Sequence, residues 1–218
     1  MIIAIDGPAA SGKSTTAKLV AKKLKVTYLD TGAMYRAVTL QLLRSKIDFV
    51  DIDKVSAILD DLIIDMFDHK GVNIVKINDE DVTGEIRSSN VTKYVSEVSA
   101  LLSVRESMVV MQREIGHKTD CVIEGRDIGT IVFPNADYKF FMVADIKMRA
   151  KRRLKEMKQL GIVKSVKEVI SELESRDQKD SSRDNSPLRK AKDAIEIDTS
   201  NLSIDEQVDK IIDHIKIK

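Results

Sequence analysis

The stretch Gly7-Pro8-Ala9-Ala10-Ser11-Gly12-Lys13-Ser14 satisfies G-x-x-x-x-G-K-[S/T] in full, and no other feature of the chain limits the fold so tightly. A loop of this kind works when its backbone N–H groups turn inward onto phosphate oxygens, with a strand entering it and a helix leaving it. The flanks comply. Residues 2–6 form a short apolar run that reads as a buried strand, and from Lys13 onward Ala17, Val20, Ala21 and Leu24 recur at helical spacing. Lys13 is placed to reach the β- and γ-phosphates and the Ser14 hydroxyl to ligate Mg²⁺, with Thr15 following on the helix. Residues 7–15 are therefore expected to bind a nucleoside triphosphate.

The remainder alternates in the manner of an α/β protein. Residues 26–29, 121–124, 138–143 and 194–197 are further short apolar runs separated by helical stretches, one of them running from Gly32 to about Ser45. Five short strands alternating with helices predict a parallel sheet covered on both faces. Ser103-x-x-Glu106, Ser165-x-x-Glu168 and Ser203-x-x-Glu206 read as capping boxes, and Gly116 and Gly161 as helix stops. One region breaks the rhythm: residues 63–67 and 72–77 alternate like strands, join through Lys70-Gly71 and run into a polar turn at residues 78–81. That predicts a small antiparallel insert of about 30 residues. Residues 180–187 are polar and read as a mobile loop.

Composition excludes several function classes. There is no tryptophan and aromatics are 4%, too few for a stacking surface on single-stranded nucleic acid. Net charge is only +1, yet residues 147–192 hold 15 Lys/Arg against 7 Asp/Glu, a local +8 that leaves −7 elsewhere. One basic surface facing an anion is implied. Cys121 is the single cysteine, which forbids an internal disulfide, and its apolar surroundings mark it as core. His69, His117 and His214 lack metal-site spacing and are read as surface or structural. No apolar run is long enough to span a bilayer and no basic-then-apolar leader follows Met1, so a cytoplasmic protein without membrane contact is expected.

A phosphate loop alone does not separate kinases from switches or motors. Asp30-Thr31-Gly32-Ala33-Met34-Tyr35-Arg36 falls at the end of the second strand, at the sheet edge where open α/β folds bind ligands. There Thr31 and Gly32 can donate hydrogen bonds and Arg36 can fork onto a phosphate. Glu124-Gly125-Arg126-Asp127 repeats that placement after the third strand, with a structural ion pair as the plainer reading. Arg149, Arg152 and Arg153 lie on one helix, and Arg176 and Arg183 flank a loop. These are read as mobile arginines closing over a transferring phosphoryl group, or else as a solvated charge run. One triphosphate cradle with three separate arginine sources is what a phosphorylated acceptor requires.

On these residues the chain resembles the bacterial cytidylate kinases of the nucleoside monophosphate kinase superfamily. The resemblance covers nearly the whole length and is carried by GPAASGKST, DTGAMYR, VTGEIR at 82–87, GRDIGTIVFP at 125–134 and RDQKDSSRDNSPL at 176–188. It implies a P-loop-type five-stranded parallel core in residues 1–57, 88–150 and 188–218, a monophosphate-binding insert at 58–87 and a helical lid at 151–187. It further implies Mg²⁺ and ATP as donor, CMP and dCMP as acceptors, and a monomer that binds neither nucleic acid nor membrane. By the same resemblance Thr31, Tyr35 and Arg36 line the CMP site, with Arg36 on its phosphate. Ser96, Arg105 and Asp127 read the cytosine edge, beside Gly125. Arg126 and Arg176 join the phosphate cluster, Asp180 faces the ribose, and Arg183 reaches the transferring group. Lys13, Arg126, Arg176 and Arg183 form the catalytic set, and residues 198–201 pass near the adenine. Lys179 stands where some members carry a second arginine. Three other readings remain open on the residues alone: a kinase for another monophosphate or a metabolite such as shikimate, a P-loop switch or ATPase, and a nucleic-acid binder using the basic third.

Overall fold

The computed structural model describes residues 1–69, 72–159 and 161–215. By its contacts the chain divides into two compact units, Met1–Tyr28 with Gly116–Lys218, and Leu29–Ile115. The Lys70-Gly71 connection read from the sequence lies outside the described residues.

The first strand, β1 (Ile2–Asp6), is central because both of its edges are taken. It pairs in parallel with β6 (Cys121–Gly125) on one side and β7 (Tyr138–Val143) on the other. Adding β2 (Thr27–Asp30) and β8 (Ile195–Asp198) gives a five-stranded parallel sheet in the order β2-β6-β1-β7-β8. Apolar residues on both faces of β1 explain its unbroken run, and Ile3, Ala4 and Ile5 are fully buried. Helices α1 (Lys13–Leu24) and α8 (Ile204–His214) cover one face through Ala17, Val20, Val208 and Ile211, which pack with Ile3, Ile5 and Phe140. Cys121 on β6 is buried, and desolvation pushes its thiol up to about 11. It is core, as its surroundings in the sequence implied.

Helix α6 (Ile146–Gln159) and helix α7 (Val166–Ser181) form a pair whose seam is Ala150, Met157, Val169 and Leu173, and Ala9 of the phosphate loop packs into the same cluster. Gly161 follows α6 at φ +72°, so it acts as the helix stop expected of it. The capping boxes at Ser165 and Ser203 are both formed, opening α7 and α8.

Three sequence expectations are corrected here. Ser103 is no cap, because α5 (Leu102–Lys118) already begins before it and Arg105 N–H donates to Leu101 C=O. Gly116 is no stop. It sits inside α5, where a Cβ would come within 2.5 Å of the Phe133 ring, so its missing side chain serves close packing. The loop expected from residue 180 starts later, since Asp180 is on α7 and buried.

In the second unit, α2 (Thr31–Arg44) is opened by Asp30, whose carboxylate accepts from Ala33 N–H at 2.9 Å. The unit continues with α3 (Ile52–Asp60), β3 (Ile64–His69), β4 (Val72–Ile77), β5 (Glu80–Asp81) and α4 (Ser89–Val98). The three strands form an antiparallel sheet in the order β3-β4-β5, so the break in rhythm read from the sequence is a separate small sheet.

Candidate functional site

In the first unit the loop between β1 and α1 is built by its glycines. Gly7 and Gly12 take φ +154° and +95°, and a Cβ on Gly7 would lie 2.2 Å from the Met142 carbonyl. At the N-terminus of α1 the cap residue is Gly12, which brings no side-chain hydrogen bond to the backbone, and the first turn holds no acid. The helix thus keeps the positive end of its dipole for an anion.

Turning N–H groups inward leaves carbonyls facing the protein, and these need donors. Arg149 Nε donates to Ala9 C=O at 2.8 Å, while Arg152 donates to Ser11 C=O at 3.0 Å. Thr199 Oγ1 also donates to Ser11 C=O, at 2.7 Å, and Arg152 reaches Thr199 C=O at 2.6 Å. From α8, buried Gln207 accepts from Thr16 and donates to Leu202 C=O. The expectation that Arg149, Arg152 and Arg153 are mobile arginines over the phosphoryl group is therefore corrected. Arg149 and Arg152 are fixed braces of the loop, and Arg153 pairs with Glu156 one turn away. Beside the loop lies a cavity of about 670 Å³ lined by Gly12, Thr15, Arg152, Asn201, Leu202 and Gln207. Its size suits a nucleoside.

Lys13 is buried, its Nζ 3.4 Å from Pro8 C=O and 3.9 Å from Glu124. Ser14 Oγ donates to Glu124 Oε2 at 2.7 Å and Tyr28 OH to Glu124 Oε1 at 2.6 Å. Glu124 was legible only as part of a strand-end motif. Its role beside the phosphate loop comes from β6 lying next to β1. Two adjacent oxygens, a hydroxyl and a carboxylate, suit a hard cation. No cluster of three or more His, Cys, Asp or Glu able to hold a metal occurs among the described residues.

At the end of β6 the chain makes a single π-type turn, Ile128–Val132, hung on the Asp127 carbonyl. Gly125, Arg126 and Asp127 precede it. Arg126 Nε donates to Asp180 Oδ2 at 2.8 Å, Arg183 donates to Asp180 Oδ1 at 2.6 Å, and Arg176 Nε lies 3.9 Å from the same carboxylate. Burial alone would push the Asp180 carboxyl up, but Arg126, Arg183 and Arg176 outweigh it and hold the group below its ordinary range. Burial likewise works against the charge on Arg126, and Asp180 more than restores it. Arg126, Arg176 and Arg183, which the sequence placed on two separate segments, thus converge on one buried carboxylate.

Beneath this turn Asp6 is buried, and desolvation raises its carboxyl to about 7 against the downward pull of the Gly129 and Ile128 N–H groups. Its folded value lies above the unfolded 3.8, so the stability it contributes is full below about pH 4 and lost as pH rises through about 7. Asp6→Asn removes this titration. The melting temperature of the unmodified protein, measured against that variant, is expected to fall between about pH 4 and about pH 7; a constant difference would disprove the shift.

The remaining expected residues belong to the second unit. Thr31 and Tyr35 are buried on α2. Arg36 donates to Thr92 Oγ1 at 2.9 Å and to Ile86 C=O at 3.2 Å. The Arg105 guanidinium lies 5.3 Å from the centre of the Tyr35 ring, and Ser96 C=O accepts from Ser99 Oγ.

A sequence profile of the cytidylate kinase family matches residues 3–217. The chain belongs to the cytidylate kinase family. A cytidylate kinase from Lactobacillus johnsonii is 47% identical over 218 residues, covering 100% of this chain and 95% of the relative. One from Halalkalibacterium halodurans is 47% identical over 216 residues, covering 99% and 97%. Among solved structures, an uncharacterised protein from Eubacterium ventriosum superposes with a TM-score of 0.55 and a shikimate kinase from Bacteroides thetaiotaomicron with 0.51. Each is 14% identical and covers 98% of this chain and 97% of its own, which is a likeness of fold. No helix among the described residues is long and apolar enough to cross a membrane.

Proposed function

We propose that the chain transfers the γ-phosphate of ATP to CMP and dCMP, giving ADP with CDP or dCDP. The observation that carries this reading is the gathering of Arg126, Arg176 and Arg183 on Asp180 in the same unit as the phosphate loop. A cluster of that kind serves a second anion beyond the triphosphate.

ATP lies with its phosphates in the loop of residues 7–15, and its base enters the cavity lined by Asn201 and Gln207. Ser14, with Glu124 behind it, would hold Mg²⁺, which when bound offsets phosphate charge and orients the chain. A phosphate oxygen of CMP attacks the γ-phosphorus in line. The new P–O bond forms as the bond to the β-phosphate oxygen breaks, and ADP leaves with that electron pair. The attacking oxygen is already anionic, so no general base is needed. Lys13 and the three arginines stabilise the charge spread over the transferring group. Thr31, Tyr35 and Arg36 receive the acceptor, Arg36 on its phosphate, while Ser96, Arg105 and Asp127 read cytosine. Donor and acceptor groups of this kind match its amino and ring-nitrogen pattern. Residues 58–87 act as the monophosphate-binding insert and 151–187 as the lid of a cytoplasmic monomer that needs no nucleic acid or membrane.

The test is a coupled ADP-release assay with Mg·ATP and each nucleoside monophosphate in turn. Dominant rates with CMP and dCMP are expected. ADP release that no monophosphate accelerates would make the protein an ATPase instead.

A further inference from the structure

Asp6 is not part of the phosphate loop, which starts one residue later, and no step above uses it. It is nonetheless a buried carboxylate with a specific task. Its Oδ1 accepts from Ile128 N–H at 2.9 Å and its Oδ2 from Gly129 N–H at 2.8 Å. Those amides open the π-type turn, and the same turn is tied from its other side by Ile131 and Val132 N–H donating to the Asp127 carbonyl at 2.9 and 3.2 Å. Asp127 is therefore held between two sets of hydrogen bonds, with its side chain buried. The turn is also seated closely. A Cβ on Gly129 would lie 3.2 Å from Lys139 Cδ and 3.4 Å from Asp6 Oδ2. An uncapped backbone turn has many conformations, whereas one gripped at two successive amides by a carboxylate on the central strand has few.

We infer that Asp6 is a positioning residue for acceptor recognition: by fixing the Ile128 and Gly129 amides it sets where Asp127 and Arg126 present their side chains. The inference rests on the acceptor reading given above. The ionised carboxylate fits the task, because an asparagine, like the protonated acid, offers one free oxygen and turns a donor toward the second amide. Its neighbour Gly7 begins the donor loop, but the Asp6 side chain grips the acceptor turn, so the two substrates should respond differently to its loss.

The experiment measures KM and kcat for CMP and for Mg·ATP in the full-length protein and in Asp6→Asn, with circular dichroism as the check on folding. In Asp6→Asn the KM for CMP is expected to rise at least about tenfold while that for Mg·ATP stays within about twofold. Gly129→Ala crowds the turn against Lys139 and Asp6 while leaving the carboxylate in place. It should move the CMP constant in the same direction by several-fold, and it decides the matter if Asp6→Asn does not fold. A folded variant whose CMP KM stays within about twofold, or one in which both constants rise together, would overturn the inference. If the unmodified protein prefers another monophosphate, the acceptor reading fails, and the same split measured with that acceptor still tests Asp6.

Discussion

Replacing Lys13 by alanine is expected to reduce kcat by about 10³-fold or more, with the protein still folded. Lys13 is buried at the first turn of α1, with its ammonium 3.4 Å from the Pro8 carbonyl and 3.9 Å from the Glu124 carboxylate. It is placed to follow negative charge as that charge moves from the γ-phosphate to the leaving ADP. Alanine leaves the loop backbone intact, because the braces from Arg149, Arg152 and Thr199 reach Ala9 and Ser11. The loss should therefore appear in kcat far more than in stability. Steady-state kinetics with a melting curve separate the two, and turnover near that of the unmodified protein would remove Lys13 from the catalytic set.

The second large effect is expected at Arg126. Arg126→Ala should lower kcat/KM for CMP by about 10²-fold while ATP binding, read by fluorescence of a nucleotide analogue, changes little. Arg126 reaches Asp180 with Nε, and a guanidinium carries further donors for a phosphate in a planar fork. Arg126→Lys keeps the charge but loses that fork, so it should recover only part of the loss. Equal damage to donor and acceptor binding would mean that Arg126 supports the unit as a whole and does not serve the acceptor.

The fold was largely legible because its signals are local. Short apolar runs gave the five strands, the loop motif fixed the first crossover, and serine-to-glutamate spacing correctly opened α7 and α8. The same spacing misled at Ser103, where the backbone of α5 had already found its first acceptor at Leu101. Gly116 misled for a different reason: its purpose is to admit the Phe133 ring, a partner 17 residues away that no local pattern reports.

Within the candidate site the phosphate loop and the arginines were readable as residue types, but their division of labour was not. Arg149 and Arg152 look like Arg126 and Arg183 in a sequence, and what separates them is whether they reach a carbonyl of the phosphate loop or the Asp180 carboxylate. Asp180 was expected, by the resemblance, to face the ribose. Only in three dimensions do three guanidiniums surround it. Asp6 and Glu124 were hidden because strand ends carry acids for many reasons, and only the register of β1 against β6 puts these two at the loop and the turn.

The braces on the phosphate loop bear on how the protein is made. The nucleotide-binding motif lies within the first 15 residues, yet its carbonyls are held by Arg149, Arg152 and Thr199, and the start of α1 by Gln207. A ribosome delivers these groups in chain order, so a growing polypeptide carries the complete motif long before it has any cradle. Competence to hold a triphosphate arrives late and abruptly, once β8 and α8 have left the exit tunnel. Until then the nascent chain cannot draw on a bound triphosphate to stabilise itself, and its early folding depends on the packing of the elements already made.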